Sequence, residues 1–426
     1  MLLADFGAAS CGFIDQFIGV VMFLYRRFVY FLFVLPASVL CFFLMPFNAS
    51  YGVEAVVDQN PVVVTRNPFD GPFTESLLEQ IRLPQGFKIE LVTDQVPGAR
   101  SMTLGEEGTL FIGTRGKRES AGRAGDVYAV TGIDEDFKAG QVRVIASGMY
   151  MPNGVAFRDG ALYLAEPNRL LRYDDIEAKL DQPPEPVVVN DSYPSDRHHG
   201  WKYIAFGPDE RIYLPVGAPC NICESSDDYA VITSIEADGS DKRIEAKGIR
   251  NTVGFDWHPV TKELWFTDNG RDLWSDDLPP EELNRVSERG QHFGYPYEYG
   301  KAHRDGVFKV PDIEFQPAAL ELPAHTAPLA IKFYTGDMFP DKYKNNILIA
   351  HHGSWNRSDP DGYYISFVEV DDNQAQPHEI FAQGWLQDKR YWGRPTDLLQ
   401  MPDGSVLVSD DHAGAVYRIS YSADGD

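Results

Sequence analysis

The chain has 426 residues, 43% of them hydrophobic, 13% aromatic and 24% charged, with a formal net charge of −25. Plentiful aromatics and scattered rather than clustered glycines and prolines exclude a disordered chain. The acidity argues against nucleic acid or an anionic lipid surface as partner, since both call for basic patches.

The N-terminus differs from the rest. Arg26 and Arg27 precede an apolar run from Phe28 to Phe47, a charged region followed by a hydrophobic one, as in an export leader. Val53-Glu54-Ala55 offers small residues suited to a cleavage point. The run is also near the length of a membrane span, so an uncleaved anchor stays open. Residues 1–55 are read as the leader, with 1–21 a mis-assigned start, because translation from Met22 gives a conventional signal. Export predicts a periplasmic or secreted protein with no stable membrane insertion once the leader is removed. Residues 56–82 are a lead-in segment that could lend a strand to the domain after it. Cys220 and Cys223 are then the only cysteines left, and outside the cytoplasm they are expected to be oxidised.

An internal repeat organises residues 83–426. Six stretches each show a turn and then a strand rich in β-branched or aromatic residues: "GEEGTLFIGTR", "FRDGALYLAE", "GPDERIYLPVG", "HPVTKELWFTDNG", "YKNNILIAHHG" and "MPDGSVLVSDD". The equivalent positions Leu110, Leu162, Ile212, Leu264, Ile347 and Val406 are spaced by 52, 50, 52, 83 and 59 residues. Several short strands per unit of about 50 residues describe a propeller blade. The pattern predicts an all-β fold, a six-bladed β-propeller, with an insertion around 270–325. The best short helix candidate is "DDLPPEELNRVSER".

Loops at one end of a propeller converge on its axis, so strand-end residues become site candidates. His199, just ahead of the third copy, could act as a general base, since an unperturbed histidine titrates near neutrality. Arg250 and Asn251 precede the fourth copy in the same way, and Asn269-Gly270 end its strand. Acids follow at Asp272, Asp276, Asp277, Glu281 and Glu282, a composition that suits Ca²⁺ or simply a solvated loop. In "AHHGSWNRSDPDGYY", Trp355 could stack on a planar ligand and Arg357 bind its anionic edge. Arg394 precedes the sixth copy, His325 the fifth, and Arg115 ends the first. The single Cys-x-x-Cys lacks the second pair of a zinc site and the βαβ context of a thioredoxin motif. A structural disulfide in a tight loop is the leading reading of it, and a redox pair the alternative.

Together "GTRG", "NGVAF", "HHGWKYIAFGPD", "GAPCNIC", "GIRNTVGFDWHP", "WFTDNGRD", "PAHTAPLAI", "HGSWNR" and "GRPTDL" resemble the quinoprotein soluble glucose and aldose sugar dehydrogenases, most closely their sorbosone dehydrogenase-like branch, over residues 80–421. The resemblance implies a six-bladed propeller that holds pyrroloquinoline quinone (PQQ) and Ca²⁺ on its axis. It implies that His199 removes the sugar hydroxyl proton while hydride passes to the quinone. Arg250, Asn251, Asn269, Arg357 and Arg394 match positions that hold the cofactor or lie beside it, with Arg115 and His325 as weaker matches. Gly270 and Arg271 match positions whose backbone oxygens bind calcium. The implied partners are a small sugar and a periplasmic electron acceptor, a quinone or cytochrome.

Three departures stand out. The glucose enzymes orient the catalytic histidine with an aspartate where this chain has Ala218. Their aromatic pair is not evident before "TAPLAI", where Pro323 and His325 stand. Their fifth-blade lysine is replaced within "SWNR". These changes point away from glucose and toward another aldose, an aldonic aldehyde or a lactone precursor. Two other readings of a six-bladed propeller remain: a calcium-dependent lactonase, which wants carboxylate and amide ligands from several blades, and a non-catalytic carbohydrate-binding module.

Overall fold

A computed structural model describes residues 71–116, 124–133 and 136–423. The leader lies outside the described residues, as does the lead-in segment up to residue 70. Six four-stranded antiparallel blades follow one another in chain order, and the third gains a fifth strand. Blade 1 comprises Ala99–Leu104, Leu110–Thr114, Ala124–Thr131 and Gln141–Tyr150. Blade 6 comprises Pro395–Gln400, Val406–Asp410 and Ala415–Tyr421, completed by the N-terminal strand Phe87–Thr93. The strand that closes the ring therefore comes from just beyond the 56–82 lead-in. The described part of that lead-in forms a 3-10 turn at Glu75–Gln80 and a single bridge from Arg82 to Gln383.

Each of the six repeated stretches forms the second strand of its blade, and all six are buried along their whole length. The reason is geometric. Side chains alternate across a strand, and both faces of a blade are covered by its neighbours. Leu110 and Ile112 point into the core shared with blade 6, while Phe111 points into the core shared with blade 2. Trp265 faces blade 5, and Leu264 and Phe266 face blade 3. A half-exposed strand would alternate apolar with polar residues, whereas these read as continuous apolar runs.

Neighbouring blades lock to one another through polar groups. Asp397 accepts the Met102 N–H at 2.7 Å, Asp256 accepts the Phe333 N–H at 2.9 Å, and the Thr267 hydroxyl donates to the Pro328 carbonyl at 2.8 Å. Close approach demands glycine here: a Cβ on Gly254 would lie 2.4 Å from the Leu329 carbonyl oxygen.

One local expectation is overturned. The helix candidate 276–289 contains instead the strand Glu281–Val286, the third of blade 4, paired with Leu264–Asp268. Two prolines at its head disfavour a helix interior, and burial in the ring takes the segment as a strand. Its acids are accommodated by backbone donors: Glu281 accepts the N–H of Gly270 and of Ala327, and Glu282 accepts that of Gly300. The insertion lies between Val286 and Leu320. It adds Gln291–His292 in parallel to the edge of blade 3 and packs Tyr295 and Tyr299 against Ala218 and Trp274.

Phe87 joins the closing strand to blade 5, with ring centroids 4.8 Å from Phe339, 5.3 Å from Tyr343 and 5.0 Å from Phe381. Phe87→Ala is expected to cost about 2–4 kcal/mol of unfolding free energy, read as a lower denaturant midpoint in urea.

Candidate active site

The axis opens at one end into a cavity of about 920 Å³, lined by residues from blades 1, 3, 4, 5 and 6. His199, Arg115, Arg250, Asn251, Asn269, Gly270, His325, Trp355 and Arg394 all reach it. Positions up to 279 residues apart in sequence thus meet in one place.

His199 sits in the loop ahead of blade 3, in the left-handed backbone region at φ 51°. Such a conformation is uncommon for a non-glycine residue and clusters at functional sites. The base of the side chain lies close against the chain beneath: a Cβ on Gly217 would lie 2.5 Å from the His199 Cβ. Nδ1 lies 2.8 Å from the carbonyl oxygen of Ala218. A carbonyl can only accept, so Nδ1 carries the proton and Nε2 keeps its lone pair. Among the described residues Nε2 has no hydrogen-bond partner. Burial, then the nearby Arg250 and His198, hold the His199 pKa well below the usual histidine value. The imidazole is therefore neutral at pH 7, the form a proton acceptor needs.

Arg250 forms the adjoining wall. Its guanidinium donates to the Asn221 carbonyl at 2.9 Å, the Asn221 side-chain oxygen at 2.9 Å, the Asn269 carbonyl at 3.0 Å and the Asp272 carboxylate at 2.7 Å. Behind it, Asp268 accepts the N–H of Arg250 at 2.7 Å and that of Asn251 at 2.6 Å. Burial pushes Asp268 up to about 7 and Glu281 up to about 8, so Glu281 is largely protonated at neutral pH.

The opposite wall brings the expected Arg115 and Arg394 together with Asp411 and Arg100, two residues that sequence reasoning missed. Asp411, fully buried, accepts from Arg100 Nε at 2.8 Å and lies 2.8 Å from His352 Nε2 and 3.5 Å from Arg115 Nη1. Its cations hold the Asp411 pKa well below the carboxylate range despite the opposing burial, and burial lowers His352 to about 3. Arg100 also lies over the Trp201 ring at 5.1 Å. Arg394 donates to the backbone carbonyls of His352 and Gly353 and lies 5.2 Å from the Tyr391 ring centroid. Among the described residues Arg394 has no carboxylate within ion-pair distance.

Two expected residues do not line the cavity. Arg357 turns away to the carbonyls of Asp276 and Ala324 and to the Asp277 carboxylate. Arg271 pairs with Asp305 at 2.6 Å and lies over Trp274. His325 reaches the cavity, but both ring nitrogens are engaged: Nε2 donates to the Ser275 carbonyl at 2.7 Å, and Nδ1 faces the Asn356 amide at 3.4 Å. Cys220 and Cys223 form a disulfide.

The cavity suits a planar polycarboxylate. Five arginines, Arg100, Arg115, Arg197, Arg250 and Arg394, line it in an otherwise acidic protein, and Trp355 joins the lining. PQQ, flat and with three carboxylates, fits this donor set. Among the described residues no three His, Cys, Asp or Glu side chains gather as a metal-binding group. Among the described residues no helix is long and apolar enough to cross a membrane.

Comparison with known proteins agrees with this picture. Residues 309–422 match the family described as TrAA12-like. Over 373 residues the chain is 32% identical to an uncharacterized protein of Borreliella burgdorferi, covering 82% of this chain and 92% of that protein. A shorter match, 47% identical over 128 residues, joins 24% of this chain to 16% of the pyrroloquinoline quinone-dependent pyranose dehydrogenase of Coprinopsis cinerea. The holo PQQ domain of that pyranose dehydrogenase superposes with a TM-score of 0.64 at 18% identity, covering 80% of this chain and 97% of the domain. The PQQ-bound aldose sugar dehydrogenase of Streptomyces coelicolor superposes with a TM-score of 0.57 at 17% identity, covering 80% of this chain and 100% of that one. At such identities the superpositions show a shared fold. The chain therefore belongs to one family with the Borreliella burgdorferi protein, and its structural neighbours are PQQ-dependent soluble aldose, glucose and pyranose dehydrogenases, whose fold it shares.

Asp411 neutralises the buried Arg100 on one wall, and its loss leaves that cation uncompensated. Asp411→Ala is expected to destabilise the fold by about 3–5 kcal/mol, measured by urea denaturation at pH 7.

Proposed function

We propose that this chain is a PQQ- and calcium-dependent dehydrogenase of the sorbosone or aldose type, exported to the periplasm, that oxidises an aldose or a related sugar aldehyde or lactol. The observation that carries the reading is the pairing of a neutral histidine with a cation-lined cavity. His199 donates through Nδ1 to Ala218 and keeps Nε2 free in a cavity lined by five arginines.

In this reading Arg115, Arg250 and Arg394 receive the cofactor's carboxylates, Arg100 adds to the same positive wall, and Asn251 and Asn269 lie alongside. Trp355 would cover a ring face, and Gly270 and Arg271 would supply backbone oxygens to calcium. Bound PQQ supplies the hydride acceptor, and calcium beside it a Lewis acid. The protein's own step is proton removal. His199 Nε2 takes the sugar hydroxyl proton as hydride leaves the same carbon, so a C–H and an O–H bond are exchanged for C=O. The buried Nδ1–H bond fixes the ring for that transfer. The implied final acceptor of the two electrons would be a periplasmic quinone or small cytochrome.

The test is direct. Purified chain titrated with PQQ in the presence of CaCl₂ is expected to bind one equivalent and then to reduce a dye with at least one member of an aldose panel. No PQQ binding at any calcium concentration overturns the reading. His199→Gln is expected to retain PQQ binding and to lower kcat by about 10²–10⁴-fold; unchanged turnover removes the base from this residue.

The pH dependence has a definite sign. The competent form is neutral, and the folded pKa lies below the ordinary value of 6.5. Activity is therefore kept as pH falls through 6.5 and is lost only in more acid solution. A pH profile of kcat/KM whose acid limb lies at or above 6.5 contradicts the environment assigned to His199.

A further inference from the structure

The short segment from Gly217 to Cys223 touches both chemical halves of the site. Its Ala218 carbonyl accepts the His199 Nδ1–H at 2.8 Å, and the Ala218 N–H donates to the Arg250 carbonyl at 2.8 Å. Two residues on, the Cys220–Cys223 disulfide closes a loop whose tip carries Asn221.

Asn221 makes an unusual number of contacts for a loop residue. Its side-chain oxygen accepts from Arg250 Nη2 at 2.9 Å and from the Asp272 N–H at 2.8 Å. Its amide donates to the Asp272 carbonyl at 3.0 Å, and its backbone carbonyl accepts from Arg250 Nε at 2.9 Å. Asp272 in turn pairs with Arg250 at 2.7 Å. Among the described residues, Asn221 and Asp272 supply the only side chains that hydrogen-bond this guanidinium. From outside, the Tyr295 hydroxyl accepts the Cys223 N–H at 3.1 Å. Four of the five guanidinium hydrogens are thus committed to protein, and one remains for a ligand. An arginine fixed this fully can serve only a ligand atom in one place.

We propose that Asn221, held in place by the Cys220–Cys223 disulfide, is the positioning residue for Arg250 and thereby for the cofactor carboxylate that Arg250 receives. The proposal rests on reading the cavity as a PQQ site. Asn221 acts through Arg250 and does not itself line the cavity. The tight covalent loop takes the role of a rigid second layer behind the binding arginine, where loss of one charge-assisted bond is felt as affinity.

The experiment measures the PQQ dissociation constant by calorimetry and the absorption maximum of the bound cofactor, in calcium, for the wild type, Asn221→Ala, Asn221→Asp, Cys220→Ser/Cys223→Ser and Arg250→Ala. Asn221→Ala and the double serine variant are expected to weaken binding by about ten- to a hundredfold and to shift the bound spectrum. Asn221→Asp keeps both acceptor bonds but loses the one its amide donates to the Asp272 carbonyl, and is expected to bind between wild type and Asn221→Ala. A purely structural role lowers the melting temperature without moving the dissociation constant or the spectrum, and that result overturns the proposal. Wild-type affinity in Asn221→Ala alongside weak binding in Arg250→Ala also overturns it, while leaving the PQQ reading intact. Absence of PQQ binding by the wild type removes both. Should Asn221→Ala not fold, the double serine variant decides: unchanged affinity in a folded chain overturns the proposal.

Discussion

The structure depends on one constraint, the burial of each blade's second strand between two neighbouring blades. Because successive side chains point to opposite faces, a five-residue strand such as Leu110–Thr114 must satisfy two cores at once. No blade has a dry interior of its own. Each core is a joint product of adjacent blades, from the Phe111–Leu162 core between blades 1 and 2 to the Val406–Leu348 core between blades 6 and 5. The ring therefore stabilises itself only when closed. The antiparallel pairing of Phe87–Thr93 with Ala415–Tyr421 ties the first described strand to the last. Packing of Phe87 on Phe339 and Phe381 carries that closure into blade 5.

Closure fixes the site. The inner strands are held edge to edge by buried acids and hydroxyls, so their ends arrive at the axis with little freedom. The polar cost is met locally, since Asp268 and Glu281 each accept two backbone N–H groups. Burial raises both pKa values, which removes negative charge from the wall that holds Arg250. On the opposite wall Asp411 stays ionised because Arg100, Arg115 and His352 surround it. The result is a basic cavity inside a chain with a net charge of −25. Surface acidity and site basicity are separate properties here, set by different residues.

Repetition decided how much could be read from the sequence. The six second strands were legible because two-sided burial imposes the same apolar run on each. His199, Arg250 and Asn269 were legible because they stand at fixed offsets from those runs. Asp411 is one residue beyond the strand-end Asp410, yet its role depends on Arg100, 311 residues away. No local pattern carries that pairing. Arg357 looked like a ligand because it follows Trp355 in an exposed-looking loop, but its partners Asp276 and Asp277 lie some 80 residues earlier in a non-repeating stretch. The strand Glu281–Val286 was hidden for the opposite reason: its acids mimic a solvated helix, and only the three-dimensional supply of N–H donors makes them tolerable inside a sheet.

Ala218 shows how a backbone carbonyl can take the place of an orienting side chain. A carboxylate at this position would orient the histidine and also stabilise its charged form, which raises the imidazole pKa. The Ala218 backbone carbonyl gives the same directional bond to Nδ1 without a full negative charge. Tautomer and ring orientation are kept, while the pKa is left to burial and to Arg250, both of which lower it. The exchange yields a base that is neutral over a wider acid range but individually weaker, since a lower pKa means a smaller driving force for taking the proton. It also moves responsibility for orientation from a side chain to the main chain. The position of that carbonyl is then only as well defined as the loop that carries it, which gives a physical reason for a disulfide two residues further on.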